Sequence, residues 1–165
     1  KMYVPFEELP DSSKIWIYQS ERRLTDEEVV KISGLLHTYT ESWQAHGADL
    51  RASYRVMYNH FVILAVNEDA NAATGCSIDD SVRTIKSIQQ HIQTNLLDRL
   101  SITFKDKDGR VKIASKKTFR EMIGTGELSD RTIVFNNMIT KLSEYEKHWE
   151  VPMHQSWHAN VFAAK

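Results

Sequence analysis

Chemistry in this chain would have to begin at Thr74-Gly75-Cys76-Ser77-Ile78-Asp79-Asp80-Ser81-Val82, the stretch that holds its one cysteine and two adjacent carboxylates. A thiol just ahead of a helix start can be held as thiolate by the free amides there and act as a nucleophile. Gly75 allows a ligand to approach the backbone closely. A nucleophile also needs a base. Asp79 with a histidine, His46 or His158, fills that role in a cysteine or general acid-base enzyme, while His60 and His154 are further imidazoles at no fixed distance from Cys76. The plainer reading makes Ser77 the N-cap of a helix with Asp80 three residues on, both aspartates complementing the positive end of the dipole. Two carboxylates at that end repel a phosphate and disfavour a thiolate, so capping is preferred. It predicts Ile78, Val82 and Ile85 buried against a sheet, with Asp79 and Asp80 at least partly wet.

His154 and His158 stand four apart, a spacing that puts two imidazoles on one helical face, but no Glu follows the first and no cysteine pair is near, so no metal is assigned. The chain has no Gly-x-Ser-x-Gly elbow and no Gly-x-x-x-x-Gly-Lys-Ser/Thr loop; Gly124-Thr125-Gly126 is followed by Glu127, and no cofactor is called for. Trp43, Trp149 and Trp157, with His46, His148 and His158 nearby in sequence, could line a pocket. The candidate ligand-binding set is therefore Trp43, His46, Gly75, Cys76, Trp149 and Trp157. Its favoured part is Trp149 to Trp157, where Pro152 and weak periodicity suggest an aromatic surface that docks on another element or a partner.

These residues must be positioned by elements that the spacing of apolar residues makes legible. Ile15-Trp16-Ile17-Tyr18 reads as a strand. Thr25 with Glu28, flanked by Leu24 and Val29, is a capping box with a hydrophobic staple that opens a helix. Val29, Ile32, Leu36, Tyr39 and Trp43 form its apolar stripe, and Gly47 is read as its stop. Tyr54, Val56 and Tyr58 alternate with polar residues, then Phe61 to Val66 runs apolar throughout, giving a hairpin whose second strand is central. A second helix carries Ile78, Val82, Ile85, Ile88 and Ile92; Leu100, Ile102 and Phe104 alternate as the next strand. The order β-α-β-β-α-β predicts an α+β, ferredoxin-like core over residues 1–105, two helices covering one face of an antiparallel sheet. Residues 106–165 are read as a small β-α-β extension: Asp108-Gly109 turns into Val111-Lys112-Ile113, Ser115 opens a short helix, Gly124 ends it, and Thr132 to Phe135 is a strand. Met138 to His148 has weak helical periodicity, and an aromatic tail follows Pro152.

Composition sets bounds on function. The 165 residues are 41% hydrophobic and 26% charged, ordinary values for a chain that buries its own core. Lys+Arg 21 against Asp+Glu 22 leaves a net charge of −1, so no long-range field draws nucleic acid, although a local basic patch is compatible with it. One cysteine, no leader and no long apolar span make a cytoplasmic protein without a membrane span the expectation.

Tyr3-Val4-Pro5-Phe6, Ile15 to Ser20, Ser42-Trp43-Gln44-Ala45-His46-Gly47, Gly75 to Asp79, Val134-Phe135-Asn136-Asn137, Trp149 to Pro152 and Ser156-Trp157-His158 together resemble a small bacterial family of Bacteroidetes type. Its members are often labelled "ABC transporter ATPase", and it brings no established activity with it; the phosphate-binding lysine loop of such an ATPase is absent here. Phe119 to Ile123 through Gly126-Glu127-Leu128 to Thr132 to Phe135 is similar to a segment of GYF-like modules, which implies peptide binding, without the Gly-Tyr-Phe tripeptide itself. The reading that follows is a non-catalytic binding protein with an unknown protein or small-molecule partner. The alternatives are an enzyme built on Cys76, and an assembly protein forming a homodimer through Trp149 and Trp157.

Overall fold

A computed structural model describes residues 3–162 of the chain. Backbone packing divides it into two units, one of Lys1–Asp98 with Thr140–Ser143, the other of Arg99–Ile139 with Glu144–Lys165. Among the described residues no helix is long and apolar enough to cross a membrane.

In the first unit, β1 (Lys14–Gln19) leads to α1 (Asp26–Ser42). The helix starts where its capping box predicts: Glu28 N donates to Thr25 Oγ1 at 3.1 Å, and Thr25 N donates to Glu28 Oε1 at 2.9 Å. Ile32 and Leu36 of its stripe are fully buried. Its end differs from the expectation. Trp43 leaves the helix in extended conformation, and Gly47 belongs instead to the turn between β2 (Gln44–Ala45) and β3 (Ala48–Asp49), where His46 and Gly47 take φ of 53° and 75°. A left-handed glycine can close a tight hairpin as readily as a helix, and here it does the former.

β4 (Arg51–Met57) and β5 (Phe61–Asn67) form the expected hairpin, in register from Arg51↔Asn67 to Met57↔Phe61. β5 is central in the antiparallel order β1-β5-β4, which is why Phe61 to Val66 can be apolar on both sides. Val62, Leu64 and Val66 share one core with Ile32 and Leu36 of α1 and with Ile85, Ile88 and Ile92 of α2 (Gly75–Ile92). Both helices therefore cover one face of the sheet, as the spacing predicts.

In the second unit, β6 (Ile102–Lys105), β7 (Val111–Ala114), β8 (Ile133–Phe135) and β9 (Glu150–Pro152) make an antiparallel sheet in the order β7-β6-β8-β9. The α+β class stands, but β6, read from sequence as the last strand of the first sheet, pairs with β7 and β8 instead. The division accordingly falls after Asp98, not after residue 105. Leu100, placed in that strand by alternation, is exposed ahead of it. α3 (Lys116–Gly124) follows β7 directly, capped by Ser115, and packs Phe119 against Phe104 with ring centroids 5.5 Å apart. α4 (Leu142–His148) and α5 (His158–Phe162) are the remaining described α-helices, and α5 adds Phe162 to the core of Ile102, Phe104, Val134 and Val151.

Candidate functional site

The cysteine segment folds one turn earlier than Ser77 as cap would require. Thr74 is the N-cap of α2: Ser77 N donates to Thr74 Oγ1 at 3.3 Å and Thr74 N donates to Ser77 Oγ at 2.7 Å. Ser77 is thus the third helical residue, and Asp79 and Asp80 lie past the first turn. The inward places at the start of α2 go to Ser77 and Ser81, while Ile78 and Val82 are only half-buried, against expectation; Ile85 is buried as expected. The reason is helical spacing. Stepping back four residues at a time from the buried Ile85 reaches Ser81 and Ser77, not the isoleucine and valine.

Trp43 sits beside those serines. It is only 1% exposed, its Nε1 donates to Ser77 O at 2.9 Å, and its ring meets Trp16 and Tyr39 at centroid distances of 5.9 and 5.4 Å. It is a core residue, so its place in the ligand-binding set falls away. Cys76 is exposed, and its Sγ has no hydrogen bond among the described residues. Asp79 is exposed and Asp80 half-buried, accepting from Tyr39 Oη at 3.1 Å; burial first, and then the Asp80 carboxylate, raise the phenol's pKa. His46 is exposed in the β2–β3 turn, and Gly75 is exposed beside Cys76. A shallow hollow of about 260 Å³ lies between the start of α1 and the end of α2, lined by Glu27, Glu28, Lys31, His91, Ile92 and Gln93. Its Glu28 is already held by two 2.8 Å bonds from Arg22, which keep the carboxyl down at about 2.

The remaining candidates belong to the second unit. Trp149 is 1% exposed, stacked on Tyr145 and donating to Asn137 Oδ1 at 2.9 Å, so of the two expected outcomes for this residue, docking on another element or on a partner, it takes the first. Trp157 is 36% exposed and lies flat on the buried His158 imidazole. His158 Nδ1 and Ser156 Oγ share a hydrogen bond of 2.7 Å, and burial lowers the imidazole pKa to about 4. His154 is exposed in a separate 3-10 turn (Met153–Gln155), so the two histidines four apart do not share a helical face. No group of three or more metal-ligating side chains occurs among the described residues.

What the spacing of chemical residues did not point to is the outer edge of β7. The β6–β7 turn bonds Asp106 N to Arg110 O and Gly109 N to Asp106 O, both at 2.9 Å, with Gly109 at φ 77° as the bulge residue. Asp106 and Arg110 being a bonded pair, the antiparallel alternation bonds Lys112 and Ala114 toward β6 and turns the N–H and C=O of Val111 and Ile113 outward. Among the described residues those outward groups have no partner. Ala114 is packed on the core under α3, with Lys112 on that same face of β7, while Val111 and Ile113 lie half-exposed on the other.

The charge around this edge is one-sided. Between Lys105 and Arg120 the chain carries seven basic side chains against two acidic ones, Asp106 and Asp108. Lys105 is paired with Glu150, and the Arg120 guanidinium lies 5.2 Å over the Phe162 ring. Lys107, Arg110, Lys112, Lys116 and Lys117 remain exposed. The Asp106 carboxylate accepts from the N–H groups of Arg110 and Asp108 at 2.9 Å each, which hold its pKa down, with Lys112 and Arg110 adding to the effect. The cation density was visible in the sequence; that it borders an open strand was not. Comparison with family models, curated proteins and solved structures finds no match for this chain.

Proposed function

We propose that this chain is a non-catalytic interaction protein that takes up an extended peptide as an added strand on β7. The observation that carries this reading is the contrast among the outer edges of the two larger sheets. The β4 edge is bridged by Tyr3 to Ala52, with Val4 N donating to Ala52 O at 2.8 Å. The β1 edge is tied at both ends, Ile15 N donating to Thr140 O at 2.9 Å and Gln19 O accepting from Asp98 N at 3.1 Å. The β9 edge contains Pro152, which has no N–H to offer. β7 has neither a cover nor a proline, Lys112 being its one ordinary guard, and an edge open in this way can template pairing with another chain. Strand addition uses those main-chain groups for affinity and alternate side chains for selection. The exposed free thiol of Cys76 supports a reducing, cytoplasmic setting.

The test is an array of octapeptides of varied sequence probed with the wild type and with Ile113→Pro, which removes one outward N–H at an edge position where proline is tolerated. A subset of peptides is expected to bind the wild type and to be lost in the variant, with its circular dichroism unchanged. Binders indifferent to Ile113→Pro, or no binders at all, would contradict the proposal.

A further inference from the structure

We infer that the strand received by β7 is an acidic peptide in which carboxylate and apolar residues alternate; this rests on the strand-addition reading. An added strand places successive side chains on opposite faces. On one face they meet Val111 and Ile113, half-exposed and apolar. On the other they meet Lys112, with Arg110 just before the strand and Lys116 and Lys117 opening α3 just after it.

Two features of this edge point past ordinary strand protection. A charged side chain on the edge is one ordinary guard of a strand, yet besides Arg120 the exposed cations here number five, Lys107 and Arg110 in the turn, Lys112 in the strand and Lys116 and Lys117 in the next helix. Lys116 and Lys117 also occupy the first turn of α3, which holds no acidic residue, although the positive end of a helix dipole disfavours cations there. Local helix electrostatics would select against both; an anionic partner gives them a use.

The same chemistry separates the other occupants. A second copy of β7 would set Lys112 and its neighbours against their own kind, and like charges on paired strands are destabilising. Single-stranded nucleic acid is bound on exposed aromatic platforms, whereas the sole aromatic between Val111 and Arg120, Phe119, is fully buried.

Fluorescence anisotropy with labelled octapeptides of alternating Val-Glu, Val-Ser and Val-Lys, with an oligo-dT strand alongside, tests the inference. Val-Glu is expected to bind about tenfold tighter than Val-Ser at low salt, the effect of a few exposed ion pairs. The advantage should collapse near 0.5 M salt, where screening shortens to roughly 4 Å. The double variant Lys112→Glu, Lys116→Glu should reverse the preference toward Val-Lys. Equal affinity for Val-Glu and Val-Ser, both lost in Ile113→Pro, would overturn this inference while leaving strand addition standing. Absence of binding by every peptide would remove strand addition and the inference together. Oligo-dT binding tighter than Val-Glu and unaffected by Ile113→Pro would overturn it in favour of nucleic acid.

Discussion

His158 lies in the second unit with its Nδ1 on the Ser156 hydroxyl and its ring under Trp157, and burial keeps it neutral down to about 4. An unfolded chain binds the proton near 6.5, so between about 6.5 and 4 the unfolded state carries more protons and stability falls as pH falls, by about 1.4 kcal/mol per unit at most. His60, buried and donating from Nδ1 to Tyr58 O at 2.7 Å, is shifted in the same direction and adds to the slope in the first unit. Urea titrations at pH 7 and 5 should therefore show His158→Gln closing part of the wild-type gap; an identical gap would mean that the imidazole is not enclosed. Cys76 gives the opposite case. Exposed and without a side-chain bond, it should be replaceable by Ala within about 0.5 kcal/mol of wild-type stability and without loss of peptide binding. At this scale the sequence showed which residue types are present, but a tryptophan that lines a pocket and one that fills a core look alike until neighbours such as Ser77 for Trp43 or Asn137 for Trp149 are known.

Elements were the most legible level. Thr25, Glu28, Leu24 and Val29 fix the start of α1 from four residues alone, because each satisfies an amide or an apolar face within one turn. The start of α2 was ambiguous for a physical reason: Thr74 with Ser77 and Ser77 with Asp80 are both plausible cap pairs three residues apart, and the choice depends on which residues can face Trp43 and the sheet. Thr74→Ala should accordingly cost about 1 kcal/mol in chemical denaturation, whereas Asp80→Ala should owe its effect to the lost Tyr39 contact and not to capping. For α3 the sign reverses. Lys116→Glu puts a carboxylate at the positive end of the dipole and should stabilise the protein by about 0.3–1 kcal/mol while weakening Val-Glu peptide binding. Weaker binding together with lower stability would instead mark Lys116 as a structural residue.

Over the whole molecule, strand existence was readable and strand partnership was not. Ile102 and Phe104 alternate as any half-buried strand does, and nothing in that period says which sheet receives them; the β6–β7 turn at Asp106 to Arg110 and the pairing of Phe104 with Val134 decide it. The open edge is a consequence of that pairing, since β6 lies inside the second sheet and β7 is left outermost. Net charge hid the basic stretch in the same way, because −1 over the chain averages an acid-rich remainder with the cations around β7. Amide hydrogen exchange of the intact chain, with and without the Val-Glu octapeptide, bears most directly on strand addition. Protection is expected to rise at the N–H groups of Val111 and Ile113 and to stay unchanged at those of Lys112 and Ala114, which already point to β6. Protection appearing elsewhere, with Val111 and Ile113 exchanging as before, would contradict it.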